Sequence, residues 1–251
     1  MVSKSLQVTM TSLNAALYAT LGYMTFLGIF APIVGVVRFW GIAVVVPAVF
    51  ATLFGGVVGG VGAAIGIFIS DMAIHGNALL SLTVGVPSNF VMFYLIGRLG
   101  QARLRMTVLN LGVTVGSLVI LVLFLARWVM GSEFTLAATI ILSGFTVASI
   151  VLTVVLAKYW TDWSGFAVAA VIGNAVGSAI VGLGVWLFSQ FFILPQNLGH
   201  QLPFTAALIW FVWTFTNQMP FLLVFGPPVL KVCYRAFPSL VQRTPEAAGT
   251  P

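Results

Sequence analysis

Long apolar stretches follow one another along nearly the whole chain, and they limit what it can fold into. We find about eight, bounded by charges, a Gly-Gly pair, proline or polar clusters, where a spanning helix needs ~20 apolar residues. They cover residues 8–30, 39–54, 57–74, 79–97, 107–130, 134–157, 164–191 and 204–226. With 61% hydrophobic and only 6% charged residues, the chain cannot coat a soluble globule with charge. The sequence predicts one integral membrane domain over residues 1–251, an all-α polytopic transmembrane helical bundle of about six to eight helices.

Basic residues predict the orientation of this bundle, since Lys and Arg in short loops are retained in the cytoplasm. With the N-terminus inside and every window spanning, only Arg38 and Arg127 fall outside. The inner basic residues are Lys4, Arg98, Arg103, Arg105, Lys158, Lys231, Arg235 and Arg243. The sequence predicts a multi-pass protein of the cell membrane with both termini cytoplasmic. Pro227 and Pro228 are expected to end the last helix, which leaves a short basic tail over about 231–251.

Glycine and alanine recur at four-residue intervals, a spacing that lets membrane helices approach closely. The segment GGVVGGVGAAIG holds overlapping G-x-x-x-G spacings, and AVIGNAVG repeats small residues at Ala169, Gly173 and Gly177. We expect both segments to pack within the chain. Gly55 and Gly56 are expected to divide two short helices that form a tight hairpin.

The stretch NAALYATLGY places Ala15, Ala19 and Gly22 on one face of the first helix. That face is smooth because none of the three carries a large side chain. Spacing alone leaves open whether the face meets a neighbouring helix of this chain or another protein.

Polar residues inside a bilayer are costly and often functional. In ISDMAIHGN, Asp71 and His75 stand four residues apart and are expected to share a helix face, followed by Asn77 and, after a proline, Asn89. All of them, with Arg38, fall near the predicted outer surface. A ligand-binding site and a solvated helix end are both consistent with this placement. Asn174 is expected to hydrogen-bond across helices.

Several functional classes are not supported by the sequence. It contains no H-E-x-x-H, G-x-S-x-G or P-loop motif, and Cys233 is its only cysteine. We therefore expect no enzyme, cofactor, metal site or nucleic-acid partner. If the protein moves a solute against a gradient, the energy is expected to come from a partner.

The run from NAALYA through the Gly-rich pair and ISDMAIHGNALLSLTVGVPSNF resembles the substrate-binding S components of energy-coupling factor (ECF) transporters. Those subunits import vitamins and related micronutrients. The closing NQMPFLLVFGPPVLKVCYRAFP is similar to the last helix and basic tail of archaeal-type members. The resemblance implies a transmembrane T component, driven by two cytoplasmic ATPases, as partner.

The resemblance also implies roles for individual residues. An A-x-x-x-A pattern on the first helix packs against the T component, which nominates Ala15 and Ala19, with Gly22 on the same face, as partner-binding residues. The loop after the first helix closes over the ligand. The ligand-side residues implied are Arg38, Trp40, Asp71, His75, Asn77 and Asn89.

The sequence thus favours a substrate-binding membrane subunit that captures a small, vitamin-like molecule outside the cell and delivers it inward. One alternative is a self-sufficient secondary transporter or facilitator, in which the Gly-rich windows 57–74 and 164–191 belong to repeated halves. Another is a structural membrane scaffold, which would bind no small molecule.

Overall fold

The computed structural model describes residues 4–29, 40–100, 136–159, 161–195 and 199–237, and these residues are almost entirely helical. Helix α1 covers Lys4–Met24 and continues as a π-helical turn, Thr25–Ile29. A 3-10 turn, Gly41–Val44, leads into α2, Val45–Phe54, and α3 covers Gly56–Ile74. Helix α4, Ala78–Leu99, contains a π-helical turn, Ser81–Gly85. Helices α5, α6 and α7 cover Leu136–Tyr159, Ser164–Phe191 and Thr205–Ala236.

Four of these helices, α3, α4, α6 and α7, are long and apolar enough to cross a membrane. No strand occurs within the described ranges, so the all-α prediction is confirmed for them. Helix α1 is not among the four because polar residues such as Gln7, Thr9 and Ser12 interrupt its apolar sequence. The predicted window 107–130 lies outside the described residues.

The expected end of the last helix at Pro227 and Pro228 is wrong. Helix α7 continues through both prolines to Ala236, and Pro220 also lies inside it. Each proline removes a backbone N–H and so frees a carbonyl one turn earlier. Membrane helices tolerate this where neighbouring helices and side chains satisfy the freed backbone. Leu230 is completely buried beyond the prolines, so the last turns of α7 still pack on the bundle.

The predicted hairpin of α2 and α3 is confirmed. Gly55 joins the two helices with a φ of 103°, a conformation that L side chains rarely adopt. Helix α4 crosses this hairpin at close range. A Cβ atom placed on Gly97 would lie 2.6 Å from the Cα of Gly56 and 2.7 Å from the carbonyl oxygen of Ala51. Backbone therefore meets backbone at this crossing.

The smooth face of α1 packs against α3 of the same chain, which corrects the assignment of Ala15, Ala19 and Gly22 as partner-binding residues. Ala15 and Ala19 are 4% and 8% exposed. A Cβ on Gly66 would lie 2.8 Å from the carbonyl oxygen of Ala15. The G-x-x-x-G side of α3 thus receives α1, and the face is not available to another protein in this structure.

Asn14 fixes the contact between α1 and α3. Its side-chain nitrogen lies 3.2 Å from the carbonyl oxygens of both Val58 and Gly59, and it is completely buried. Gly62 leaves the space that this side chain occupies. Because a buried amide without partners is costly in lipid, these contacts determine which way α1 faces.

The small residues of α6 also pack within the chain, as predicted. Gly173 and Gly177 receive Met92 of α4, whose carbonyl oxygen and Cβ would lie 2.7 and 2.8 Å from Cβ atoms placed on the two glycines. Asn174 lies between them and donates a hydrogen bond of 3.0 Å to the carbonyl of Phe215 on α7. The expected cross-helix bond of Asn174 is confirmed, and α6 joins α4 to α7.

Candidate functional site

A tyrosine of α1, the tryptophan that precedes the 3-10 turn and an asparagine of α4 meet in the fold. We call Tyr18, Trp40 and Asn89 the aromatic cluster. The ring centroids of Tyr18 and Trp40 lie 5.3 Å apart, and the Tyr18 hydroxyl donates a hydrogen bond of 2.7 Å to Oδ1 of Asn89. Tyr18 is 1% exposed. The cluster therefore combines aromatic faces with amide and hydroxyl groups, and it is buried at Tyr18 and partly buried at Trp40 and Asn89.

Helix α1 holds the Trp40 ring in place through Gly22. A Cβ on Gly22 would lie 2.7 Å from the indole ring of Trp40 and 2.9 Å from the hydroxyl oxygen of Ser70. Gly22 thus provides the space in which the indole lies. Since Ser70 directly precedes Asp71 on α3, this contact brings the aromatic cluster next to the acidic end of that helix.

A second group, the acidic cluster, consists of Asp71, His75 and Ser81. Oδ1 of Asp71 lies 3.6 Å from Nε2 of His75, one helical turn away, and Oδ2 accepts a hydrogen bond of 2.8 Å from the Ser81 hydroxyl. Asp71 is 8% exposed. A carboxyl group buried to this extent is expensive unless polar groups surround it, and the cluster supplies them.

Gly85 joins the two clusters at the end of the π-helical turn of α4. Its carbonyl accepts a hydrogen bond of 2.9 Å from Nδ2 of Asn89, and a Cβ on it would lie 2.8 Å from Oδ2 of Asp71. Single π-helical turns inside helices are frequent at functional sites. The wide turn places Ser81 against Asp71 and Asn89 against Tyr18 on the same side of α4.

The structure places most of the sequence-predicted site residues in these clusters. Trp40 and Asn89 belong to the aromatic cluster, and Asp71 and His75 share a helix face as expected. Asn77 has a different role, because its Oδ1 accepts a hydrogen bond of 3.0 Å from the Leu80 N–H and so caps the start of α4. Its own N–H donates to Nδ1 of His75 at 3.1 Å. Arg38 lies outside the described residues.

Sequence reasoning missed two residues of this region, Tyr18 and Ser81, and it did not foresee the contact that a third, Asn217, makes with Trp40. Tyr18 stands inside the NAALYA motif, but the interpretation of that motif considered only its small residues. Nothing in the sequence around Ser81 distinguishes it from other serines. Asn217 on α7 accepts a hydrogen bond of 3.3 Å from the backbone N–H of Trp40. No spacing rule connects residues that are so far apart in the chain.

The chemical groups of the two clusters are of the kinds that bind a flat ring carrying hydrogen-bonding groups. Aromatic faces bind flat rings by stacking, and amides and hydroxyls fix their orientation. The carboxyl of Asp71 attracts a hydrogen-bond donor or a positive charge. Within the described part of the chain, no group of three or more His, Cys, Asp or Glu residues is arranged to hold a metal ion.

Replacing Ser81 by alanine is expected to lower the free energy of unfolding by ~1–3 kcal/mol, because the buried Asp71 carboxyl loses a hydrogen bond. Thermal unfolding of the detergent-solubilised protein measures the loss. Thr83→Ala is the matched control, since this exposed hydroxyl bonds only to carbonyls of its own helix. Equal unfolding temperatures for the two variants would contradict the role assigned to Ser81.

Comparisons with known proteins were made at three levels. No protein-family model matches the chain, and neither a curated protein nor a solved structure is detectably similar to it.

Proposed function

We propose that this protein is the membrane-embedded substrate-binding subunit of an ATP-driven importer of a micronutrient, an S component of the energy-coupling factor type. It binds its solute at the aromatic and acidic clusters and delivers it inward together with a T component and two ATPases. The observation that carries the proposal is the gathering of Tyr18, Trp40, Asn89 and Asp71 between α1, α3 and α4.

The position of the clusters supports a binding role. The acidic cluster lies where α3 ends and α4 begins, the end predicted to face outward from the distribution of Lys and Arg. The aromatic cluster lies deeper, because Asn89 is near the middle of α4. A solute arriving from outside would meet the acidic cluster first. The polar groups there are buried and mutually bonded, which matches a site prepared to exchange its internal hydrogen bonds for those of a ligand.

The sequence gives a reason for a partner. It holds no P-loop, so uptake driven by a P-loop ATPase would need that ATPase on another chain. Helix α1 has a second face of small side chains, Ser12, Ala16 and Thr20, and this face is exposed. With the Ala15 and Ala19 face packed inside the chain, the exposed face is the part of α1 that we assign to the T component.

Leucine at both Ala16 and Thr20 is expected to leave folding and ligand retention intact but to abolish assembly with the T component and ATPases. Bulky side chains on a small-residue face prevent close approach of a partner helix. Co-purification after co-expression with the T component and ATPases of the same organism measures assembly.

The matched control is the double variant with leucine at Ala15 and Ala19, one residue earlier on the same helix. It is expected to destabilise the protein itself, because these side chains face α3. If the Ala16 and Thr20 variant assembles like the parent, the exposed face is not the docking surface. If the parent never associates with these subunits, the importer proposal is wrong.

Reconstitution into proteoliposomes separates the proposal from its alternative. An S component is expected to give no net uptake without the T component and ATPases. Uptake by the protein alone, without ATP, would instead identify a secondary transporter or facilitator. Mass spectrometry of small molecules retained by the purified protein would identify the ligand in either case.

A further inference from the structure

The part of α7 beyond its prolines places two basic residues on a regular helix face. Because the helix continues to Ala236, Lys231 and Arg235 belong to it and not to a non-helical tail. Residues four apart on a helix lie on the same face, and both of these side chains are exposed. The end of α7 thus carries two neighbouring positive charges on its surface.

The face that carries this pair is apolar over the turns before it. The exposed positions of this half of α7 are 224–225, 228–229, 231–232 and 235, and the positions between them are buried or partly buried. Val224, Val229 and Val232 are 42%, 40% and 65% exposed. This helical period gives α7 one exposed face, apolar except for the two basic residues. We call the exposed positions within 224–235 the α7 stripe.

The length of the α7 stripe matches one leaflet of a bilayer. At a rise of ~1.5 Å per residue, Val224 and Arg235 are separated by about 16 Å along the helix axis. Half of a ~30 Å hydrocarbon core is about 15 Å. When the valines lie along acyl chains, Arg235 is therefore at the height of the headgroups. Lys231 stands about 6 Å deeper, and its long side chain reaches the same height by extending along the helix.

The two charges have no carboxylate partner in the part of the chain that the structure describes. The acidic residues there are Asp71 and Asp162, and Asp71 pairs with His75 where α3 ends. The helix dipole favours a cation in the last turn, which accounts for Arg235. It does not account for Lys231, which lies before that turn. The pair therefore lacks a counter-charge that something outside the bundle can supply.

We propose that the α7 stripe binds an anionic phospholipid, with its headgroup on Lys231 and Arg235 and its acyl chains along the exposed apolar residues. A zwitterionic phospholipid fits the apolar part equally well but brings no net negative charge to the pair. The lipid belongs to the leaflet at the end of α7, predicted to be the cytoplasmic one, where anionic lipids attract basic residues. The inference does not depend on the proposed function.

The test measures which lipids remain on the protein. The protein is reconstituted into vesicles of equal parts phosphatidylcholine and phosphatidylglycerol and extracted again in a mild detergent, and the retained lipids are quantified by mass spectrometry. The parent is expected to retain phosphatidylglycerol over phosphatidylcholine about tenfold, since two basic residues act together. The double variant Lys231→Gln, Arg235→Gln is expected to retain the two lipids in nearly the vesicle ratio.

The matched control is the double variant Lys4→Gln, Arg98→Gln. It removes the same charge from two exposed residues on the predicted cytoplasmic side. No residue from 84 to 97 is exposed, so no apolar stripe precedes Arg98, and the Arg98 Nε donates a hydrogen bond of 3.2 Å to the Tyr94 hydroxyl. This variant is expected to retain phosphatidylglycerol like the parent. The exchange Lys231→Arg, Arg235→Lys keeps both charges and is also expected to preserve the preference.

The lipid assignment is wrong if the parent retains lipids in the vesicle ratio, which would leave the α7 stripe to a protein partner with an acidic surface. It is also wrong if the two double glutamine variants lose the preference equally, or if the preference persists without Lys231 and Arg235. Each comparison uses the monodisperse fraction from size-exclusion chromatography, and the exchange variant separates loss of charge from loss of folding.

Discussion

Leucine in place of Gly97 is expected to prevent the protein from forming a stable bundle. At this position α4 lies directly on the α2–α3 hairpin, where a Cβ would already be 2.6 Å from the Cα of Gly56. Overpacking a close-packed core costs ~1–3 kcal/mol when the neighbours are side chains that move. Here the neighbours are backbone atoms, so α4 must separate from the hairpin. The fraction of monodisperse protein in size-exclusion chromatography measures the effect.

Gly144→Leu is the control for this experiment, since Gly144 also lies within a helix, α5, but among the described residues outside the adjoining backbone no heavy atom lies within 4 Å of a Cβ placed there. This variant is expected to elute and unfold like the parent. A Gly97→Leu protein as stable as the Gly144→Leu protein would show that α4 and the hairpin do not touch in the way described.

The second large effect is expected at Trp40. Under the proposed function, alanine at this position is expected to weaken retention of the solute about a hundredfold, because aromatic residues at the centre of a binding site typically contribute ~2–4 kcal/mol to binding. Mass spectrometry of the molecules that co-purify with each variant measures the loss. The protein should still fold, since Trp40 is only partly buried and lies at the edge of the main core.

Trp163→Ala controls for the general loss of an indole. Trp163 stacks on Tyr234 with ring centroids 6.3 Å apart, at the end of the bundle where α6 begins and α7 ends. Retention by this variant should match that of the parent. If both tryptophan variants lose the small molecule equally, Trp40 has no special place in the site.

The predicted apolar windows agree with most ends of the described helices. The reason is that an apolar run and the glycine, proline or charge that bounds it can be read from neighbouring residues alone. The boundary at Gly55 was predictable, because two adjacent glycines interrupt an apolar run and glycine readily adopts the positive φ that a tight connection requires. The continuation of α7 past Pro227 and Pro228 was not predictable from local rules. It depends on packing, which holds Leu230 in the core after the prolines.

The faces of α1 show where pattern reasoning reaches its limit. Ala15 and Ala19 form one stripe of small residues, and Ala16 and Thr20 form another, one residue further along. Spacing does not distinguish the two stripes. The burial of Asn14 does, because its amide contacts carbonyls of α3 and so turns the Ala15 face inward. Long-range polar contacts of this kind, including that of Asn217 with Trp40, are set by the fold as a whole.

The π-helical turn in α4 makes the arrangement of the two clusters depend on the number of residues in this helix. A turn of this kind holds one residue more than a regular α-helical turn, which amounts to a rotation of about 100° between the two halves of the helix. Removing a single residue there, such as the exposed Thr83, would leave a regular helix of good geometry. It would also turn Ser81 away from Asp71 while Asn89 stayed beside Tyr18. The extra residue of the π-helical turn is therefore what allows α4 to contribute to both clusters at once.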